Sequence, residues 1–236
     1  MIRIESVLGL GCVKDKRQGE FMALRNIFIT GGTGYIGKRL IPELLSRGHR
    51  VRALARKGSE AKLPAGCDVI IGDPLKQESF ADQISPADTF VQLVGVPNPS
   101  PTKGPQFRAV DLESIRASVP AAATAGICHF VYVSVAHPAP IMKDYIAVRT
   151  EGEELIRASN LRASILRPWY VLGPGHRWPY VLVPIYKLFE LVPGTRETAR
   201  RLGLVTLPQM LNALLHAVEN PADGFQVIEA PAIKQR

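Results

Sequence analysis

Hydrophobic positions in this chain change period repeatedly, from short contiguous runs to recurrences every three or four residues. Ile27-Phe28-Ile29 is a β-branched and aromatic run that reads as a buried strand. Ile36, Leu40 and Leu44, with Ile41 and Leu45 beside them, then mark one face of a helix. Arg50 to Ala55 alternates like a second strand and stops at Arg56-Lys57-Gly58. Further strands are predicted at Asp68 to Ile71, Phe90 to Val94, His129 to Ser134, Ala163 to Leu166 and Phe225 to Ile228. Helical patterns lie at Phe107 to Ala125, interrupted or bent near Pro120, at Met142 to Ser159, at Tyr180 to Leu191, and at Leu207 to Glu219, where Met210, Leu211, Leu214 and Leu215 form a buried face. Strands alternating with helices imply parallel βαβ units, so the fold class is α/β with a doubly wound parallel sheet.

Between the first strand and first helix stands Thr30-Gly31-Gly32-Thr33-Gly34-Tyr35-Ile36-Gly37. Gly32, Gly34 and Gly37 satisfy GxGxxG in a strand-turn-helix setting. A Gly-rich turn lets a diphosphate approach the backbone, and the helix N-terminus offers unpaired N–H groups and a partial positive charge. The sheet is therefore expected to be of Rossmann type and to bind a dinucleotide. Ligands of such sheets bind outside the carboxyl ends of the strands, where the turn-rich loop Asn98 to Pro105 and the Pro-, Gly- and aromatic-rich stretch Pro168 to Pro179 are expected to lie.

At 236 residues and 46% hydrophobic content the chain is long enough for one substantial core. The expected organisation is a disordered extension over residues 1–24, with Met22 as an alternative start, then a single domain over 25–236. Within it, about 168–222 supplies a small substrate-side cap. The apolar stretch Val7 to Val13 is too short and Gly-broken for a secretory segment or a membrane span. A formal charge of +8 raises the question of nucleic acid, but the basic residues are scattered rather than clustered, and a field that attracts an anionic cofactor is the preferred reading. The three cysteines form no CxxC pair and read as reduced thiols, which with the missing membrane span points to the cytoplasm. His49, His129, His137, His176 and His216 are too scattered for a metal site.

The glycine turn, Gly72-Asp73-Pro74, the strand ending Tyr132-Val133-Ser134, Tyr145-Ile146-Ala147-Val148-Arg149 and Leu166-Arg167-Pro168 occur in an order that resembles the short-chain dehydrogenase/reductase superfamily. The likeness is to its atypical NAD(P)-binding branch, the nitrogen-metabolite-repressor-like and complex I 39 kDa-subunit-like proteins. It spans about residues 25 to 230. It implies that Gly31, Thr33, Gly34, Tyr35, Ile36 and Gly37 form the diphosphate turn. By the same likeness Asp73 accepts a hydrogen bond from the adenine amino group, and Gly95 and Val96 pass under the nicotinamide ribose. Asp73 before Pro74 also reads as a plain turn carboxylate.

Cofactor choice follows from charge. An acid about 20 residues beyond the glycines holds a ribose 2′-hydroxyl, whereas an Arg there accommodates a 2′-phosphate. The second strand ends Leu54-Ala55-Arg56-Lys57 with no acid at its tip, so NADP(H) is expected over NAD(H).

In active members of the superfamily a Tyr exchanges a proton with the substrate oxygen, a Lys four residues later lowers its pKa and holds the ribose, and a Ser orients the substrate. The resemblance thus assigns catalysis to Tyr145, Arg149 and Ser134. Here position 149 is Arg, which also has Glu153 available for an i,i+4 ion pair. Asp111 stands where many relatives carry Asn. Trp169, Tyr170 and His176, with Pro174 and Trp178, form an aromatic cluster that reads as substrate wall or as packing. Two functions stay open: an NADP(H)-dependent oxidoreductase acting on a small carbonyl, alcohol or quinone-like substrate, and a non-catalytic NADP(H)-binding redox sensor or assembly factor. An epimerase or dehydratase is a third, weaker alternative. The expected partner is a small molecule rather than nucleic acid, with monomer and homodimer both open.

Overall fold

The structure, a computed structural model, describes residues 23–139, 141–174 and 202–236. Seven parallel strands form its main sheet: β1 (Asn26–Thr30), β2 (Arg50–Ala55), β3 (Asp68–Ile71), β4 (Thr89–Gln92), β5 (His129–Val133), β6 (Ala163–Arg167) and β9 (Phe225–Glu229), in the order β3-β2-β1-β4-β5-β6-β9. Two short strands, β7 (Val171–Leu172) and β8 (Val205–Thr206), pair separately. The order reverses between β1 and β4, and the crevice that such a reversal opens lies at the carboxyl ends of those strands.

Side chains alternate across a strand, and β1 uses both faces. Ile27 and Ile29 enter one core with Leu40, Ile41 and Leu44 of helix α1 (Gly37–Ser46). Phe28 points to the other side, stacking on Phe80 (ring centroids 6.0 Å) and meeting Phe90 (5.3 Å), which stacks on Phe130 (5.0 Å). A continuous apolar run is therefore what a strand covered by helices on both faces requires.

The crossover from β4 to β5 is irregular. Helix α2 (Gly104–Gln106) passes through a π-helical turn, Phe107–Leu112, into α3 (Glu113–Thr124). The helix is not interrupted at Pro120, since α3 runs through that exposed proline; the irregularity lies earlier, where the π turn carries the buried Asp111. Helix α4 (Lys143–Ala158) follows β5, and α6 (Ala230–Lys234) follows β9. Helix α5 (Leu207–Glu219) opens with a capping box: Thr206 N donates to Gln209 Oε1 at 2.9 Å while Gln209 N donates to Thr206 Oγ1 at 3.4 Å. Met210 and Leu214 of α5 pack with Leu40 and Leu44 of α1. That part of the segment expected as cap is thus a core layer. The predicted helix at Tyr180 to Leu191 lies outside the described residues, as do residues 1–22.

The strands at 50–55 and 68–71 and the helix at 207–219 coincide with their predicted bounds. β4 ends at Gln92, two residues early, because the chain turns at Leu93 and Val94 toward the crevice. Gln92 is wholly buried and roots the crevice floor. Its Oε1 accepts from Thr30 Oγ1 and from Ser118 Oγ (3.1 Å), and its Nε2 donates to Ser114 Oγ (2.9 Å), which donates to the Asp111 carbonyl (2.8 Å). Every polar atom of that buried amide oxygen and nitrogen pair is engaged, as burial demands.

Candidate functional site

The glycine turn closes around Gly31, at φ +75°, where a Cβ would stand 2.6 Å from the Leu93 carbonyl carbon. Gly34 N donates to Gly31 O at 2.9 Å, and a Cβ on Gly37 would lie 2.5 Å from that oxygen and 2.6 Å from Gly32 Cα. Gly31 and Gly37 are therefore the glycines the backbone shape demands, while Gly34 leaves the cleft side of the turn bare. Gly32, the first glycine of the GxGxxG spacing, faces inward: a Cβ there would meet the side chains of Ile41 and Leu63, each at 3.0 Å. Arg39 caps the turn, donating to Tyr35 O at 2.8 Å with its guanidinium 4.4 Å from the Tyr35 ring centroid.

Two chambers of about 410 and 390 Å³ open from this turn and share Gly31, Gly34, Leu93, Gly95, Val96 and Pro97. One runs over β2 to Thr33, Arg56, Ser59 and Asp73. Arg56 is exposed, and its guanidinium makes no hydrogen bond or ion pair among the described residues. Asp73 Oδ1 accepts from Leu75 N at 3.0 Å, and Asp73 N donates to Ser79 Oγ at 2.9 Å. The plain turn role of Asp73 is thus real, and its place in the chamber wall is compatible with a ligand contact as well. A bare Gly34 Cα, where a Cβ would meet only Gly31 O at 3.0 Å, suits the close approach of a dinucleotide's diphosphate.

The other chamber contains Tyr35, Ile36, Gly37, Tyr145, Arg149, Trp169 and Tyr170. Arg149 is buried, and the expected i,i+4 pair with Glu153 does not form. Its Nη2 lies 2.5 Å from Asp111 Oδ1 and 3.4 Å from Val94 O, and its Nη1 donates to Val133 O at 2.8 Å. Asp111 Oδ2 in turn accepts from Val96 N at 3.0 Å. A buried ion survives only when paired and hydrogen-bonded, and here the two residues that depart from the superfamily pattern satisfy each other. Burial opposes the Arg149 charge, but Tyr145, Tyr132 and Asp111 around it outweigh that, so the guanidinium stays charged.

Tyr145 is half-buried against Phe107 (centroids 4.9 Å), with Arg149 Cζ 5.1 Å from its ring centroid. Burial raises its pKa; Arg149 works against that and Asp111 with it. Deeper in, burial pushes Tyr132 up to about 12, again opposed by Arg149. Tyr145 also borders a small apolar recess with Pro99, Val135, Met142, Trp169 and Tyr170, the last two in edge-to-face contact at 5.5 Å. His176 lies outside the described residues.

Ser134 does not reach either chamber, which corrects its assignment as substrate orienter. It is 2% exposed and its Oγ donates to Glu153 Oε1 at 2.5 Å. The cause is Glu153, a buried carboxylate that gathers donors: Arg167 Nε at 2.9 Å, Arg167 Nη2, and Ser134. Arg167 also donates to Glu229 at 2.9 Å, joining α4, β6 and β9. Sequence reasoning missed this network, Gln92, and the role of Asp111; the one available signal was that positions 111 and 149 both depart from pattern with opposite charges. Among the described residues no group of His, Cys, Asp and Glu is placed to hold a metal, and no helix is long and apolar enough to cross a membrane.

A family model described as NAD(P)H-binding matches residues 31–184. Similar curated proteins include a ceramide reductase of Caulobacter vibrioides, 27% identical over 74% of this chain and 55% of that protein. A 4-hydroxy-2-methyl-3-oxo-4-farnesyl-3,4-dihydroquinoline-1-oxide ketoreductase of Stigmatella aurantiaca is 26% identical over 62% of this chain and 50% of that one. The chain thus spans about half the length of these relatives. Among solved structures, the Bordetella bronchiseptica enzyme WbmH in complex with NAD+ superposes with a TM-score of 0.66 at 20% identity, covering 90% of this chain and 79% of that one. A short-chain dehydrogenase/reductase superfamily protein from Agrobacterium tumefaciens with bound NAD gives 0.64 at 18% identity, covering 86% and 76%.

Proposed function

This chain belongs to the NAD(P)H-binding family within the short-chain dehydrogenase/reductase superfamily, and on that premise we propose that it is an NADP(H)-dependent oxidoreductase acting on a small, largely apolar carbonyl, alcohol or quinone-like compound. The observation that carries this is the position of Tyr145, whose side chain borders both the chamber that opens from the glycine turn and the apolar recess of Trp169 and Tyr170. A phenol there stands between a cofactor on one side and a carbonyl on the other.

Gly31, Thr33, Gly34, Tyr35, Ile36 and Gly37 would hold the diphosphate, Asp73 the adenine, Gly95 and Val96 the nicotinamide ribose, and Arg56 the 2′-phosphate that distinguishes NADP(H). When bound, the reduced nicotinamide supplies a hydride. Tyr145 hands its proton to the substrate oxygen, so hydride and proton together turn a carbonyl into an alcohol. Trp169 and Tyr170 offer aromatic faces that exclude water and seat a planar ligand. Arg149 fixes the backbone at Val94 and Val133 around the phenol.

Binding without turnover is the second reading, and one observation favours it. The Arg149 guanidinium is taken up by Asp111 and two carbonyls, so among the described residues the free cation that the wider superfamily sets beside its tyrosine has no counterpart. The test starts with NADPH affinity by calorimetry and a screen of ketones and quinones for NADPH consumption. Tyr145→Phe should then leave affinity unchanged and lower turnover by roughly 10²- to 10⁴-fold. Parent-rate turnover by the variant would remove Tyr145 as the proton donor, and NADPH binding with no consumption by any compound screened would favour the binding-protein reading.

A further inference from the structure

Asp111 and Arg149 form one neutral unit in the wall behind Tyr145. The carboxylate is 1% exposed and spans two partners, Arg149 Nη2 at 2.5 Å and the Val96 amide at 3.0 Å. Gly95 leaves room for it: a Cβ there would collide with Arg149 Nη2 and stand 3.3 Å from Asp111 Oδ1. The groups facing Tyr145 are Arg149 from its own helix, Asp111 from the π turn and the Tyr132 phenol from β5. A lone cation about 5 Å from a phenol would favour the phenolate. A cation cancelled by a carboxylate in contact acts as a dipole, whose effect falls off faster with distance.

We infer that Asp111 is a positioning residue: by cancelling the Arg149 charge and tying it to the Val94 to Val96 segment, it keeps the Tyr145 phenol protonated, and so ready to donate, through and above neutral pH. The inference rests on Tyr145 as the proton donor proposed above. Burial of the phenol acts in the same sense.

The test needs no cofactor. Ultraviolet titration of phenolate, taken as the difference between each protein and its Tyr145→Phe counterpart, isolates the Tyr145 transition. Asp111→Asn should lower that transition by about one pH unit or more, since Arg149 is then uncancelled. Asp111→Asn with Arg149→Gln, which removes both charges, should return it to within about half a unit of the parent. With a substrate in hand, the alkaline fall in reduction rate should begin at a lower pH in Asp111→Asn than in the parent, displaced by the same amount as the phenolate transition. A folded Asp111→Asn whose transition and pH profile match the parent's would overturn the inference. If the single variant does not fold, a double variant with a transition raised by more than about one unit would overturn it, because Arg149 alone would then govern Tyr145. A moved transition with parent-rate turnover by Tyr145→Phe would instead defeat the proton-donor reading.

Discussion

Gly95 and Arg149 occupy complementary space: the missing side chain of the glycine is the room in which the guanidinium end of Arg149 meets Asp111. A flexible arginine ordinarily moves aside for a methyl group. This one is held by Asp111, by Val133 O at 2.8 Å and by Val94 O, so it has nowhere to go. Gly95→Ala should therefore cost about 1–3 kcal/mol through overpacking, read as a fall of several degrees in Tm and a matching loss in chemical denaturation. An unchanged Tm would show that the pair is looser than its contacts imply.

The turn glycines separate binding from folding. A side chain on Gly34 meets one carbonyl at 3.0 Å and otherwise projects into the cleft, whereas one on Gly37 drives into Gly31 O and Gly32 Cα. Gly34→Val should fold, by circular dichroism, and fail to bind NADPH. Gly37→Val should be unfolded or strongly destabilised. Wild-type affinity in Gly34→Val would remove the diphosphate assignment.

Arg56 stands at the tip of β2 with no partner for its guanidinium among the described residues. A charge-assisted hydrogen bond to a phosphate contributes on the order of 1.5–3 kcal/mol. Arg56→Ala should thus weaken NADPH by at least about tenfold and leave NADH nearly unaffected, as titrations with both nucleotides would reveal. Equal losses would mean that the residue does not read the 2′-phosphate.

His129 predicts how stability depends on pH. Its ring is wholly buried, with Nε2 3.0 Å from Ser164 Oγ, and burial, aided by Arg25 and Arg162, pushes its pKa down to about 4 from 6.5. Between those values the unfolded chain binds the proton more readily than the folded one. The stability tied to a neutral His129 is therefore complete above pH 6.5 and is lost as pH falls toward 4, by up to roughly 3 kcal/mol. Urea denaturation at stepped pH should show that slope, and His129→Gln should flatten it. An identical slope in the variant would place the acid sensitivity elsewhere.

Much of the fold is legible in the chain because its signals are local. Ile27-Phe28-Ile29 carries strand character in three residues, and Met210, Leu214 and Leu215 carry helix character in two turns. The glycine turn is legible for the same reason, since the backbone it demands is built from neighbours. Gly31 stands outside the GxGxxG spacing, and the physical demand for a glycine there comes from the approach of Leu93, just past β4. No interruption follows at Pro120, which stands on an exposed face of α3, while the π turn at Phe107–Leu112 has no residue of marked propensity to announce it.

By itself, then, the sequence determined the alternation of strands and helices and the place of the nucleotide turn, consequences of short-range periodicity and backbone freedom, while the candidate phenol at Tyr145 came from the family resemblance. Tertiary structure alone decided which charges meet. Arg149 had Glu153 one helical turn away and Asp111 38 positions distant, and it took Asp111, while Glu153 turned to Arg167 and Ser134. The reason is that a buried ion is paired by whatever the crossing of distant elements brings within reach in the low-dielectric interior, and that crossing is a property of the packed sheet, not of any stretch of chain.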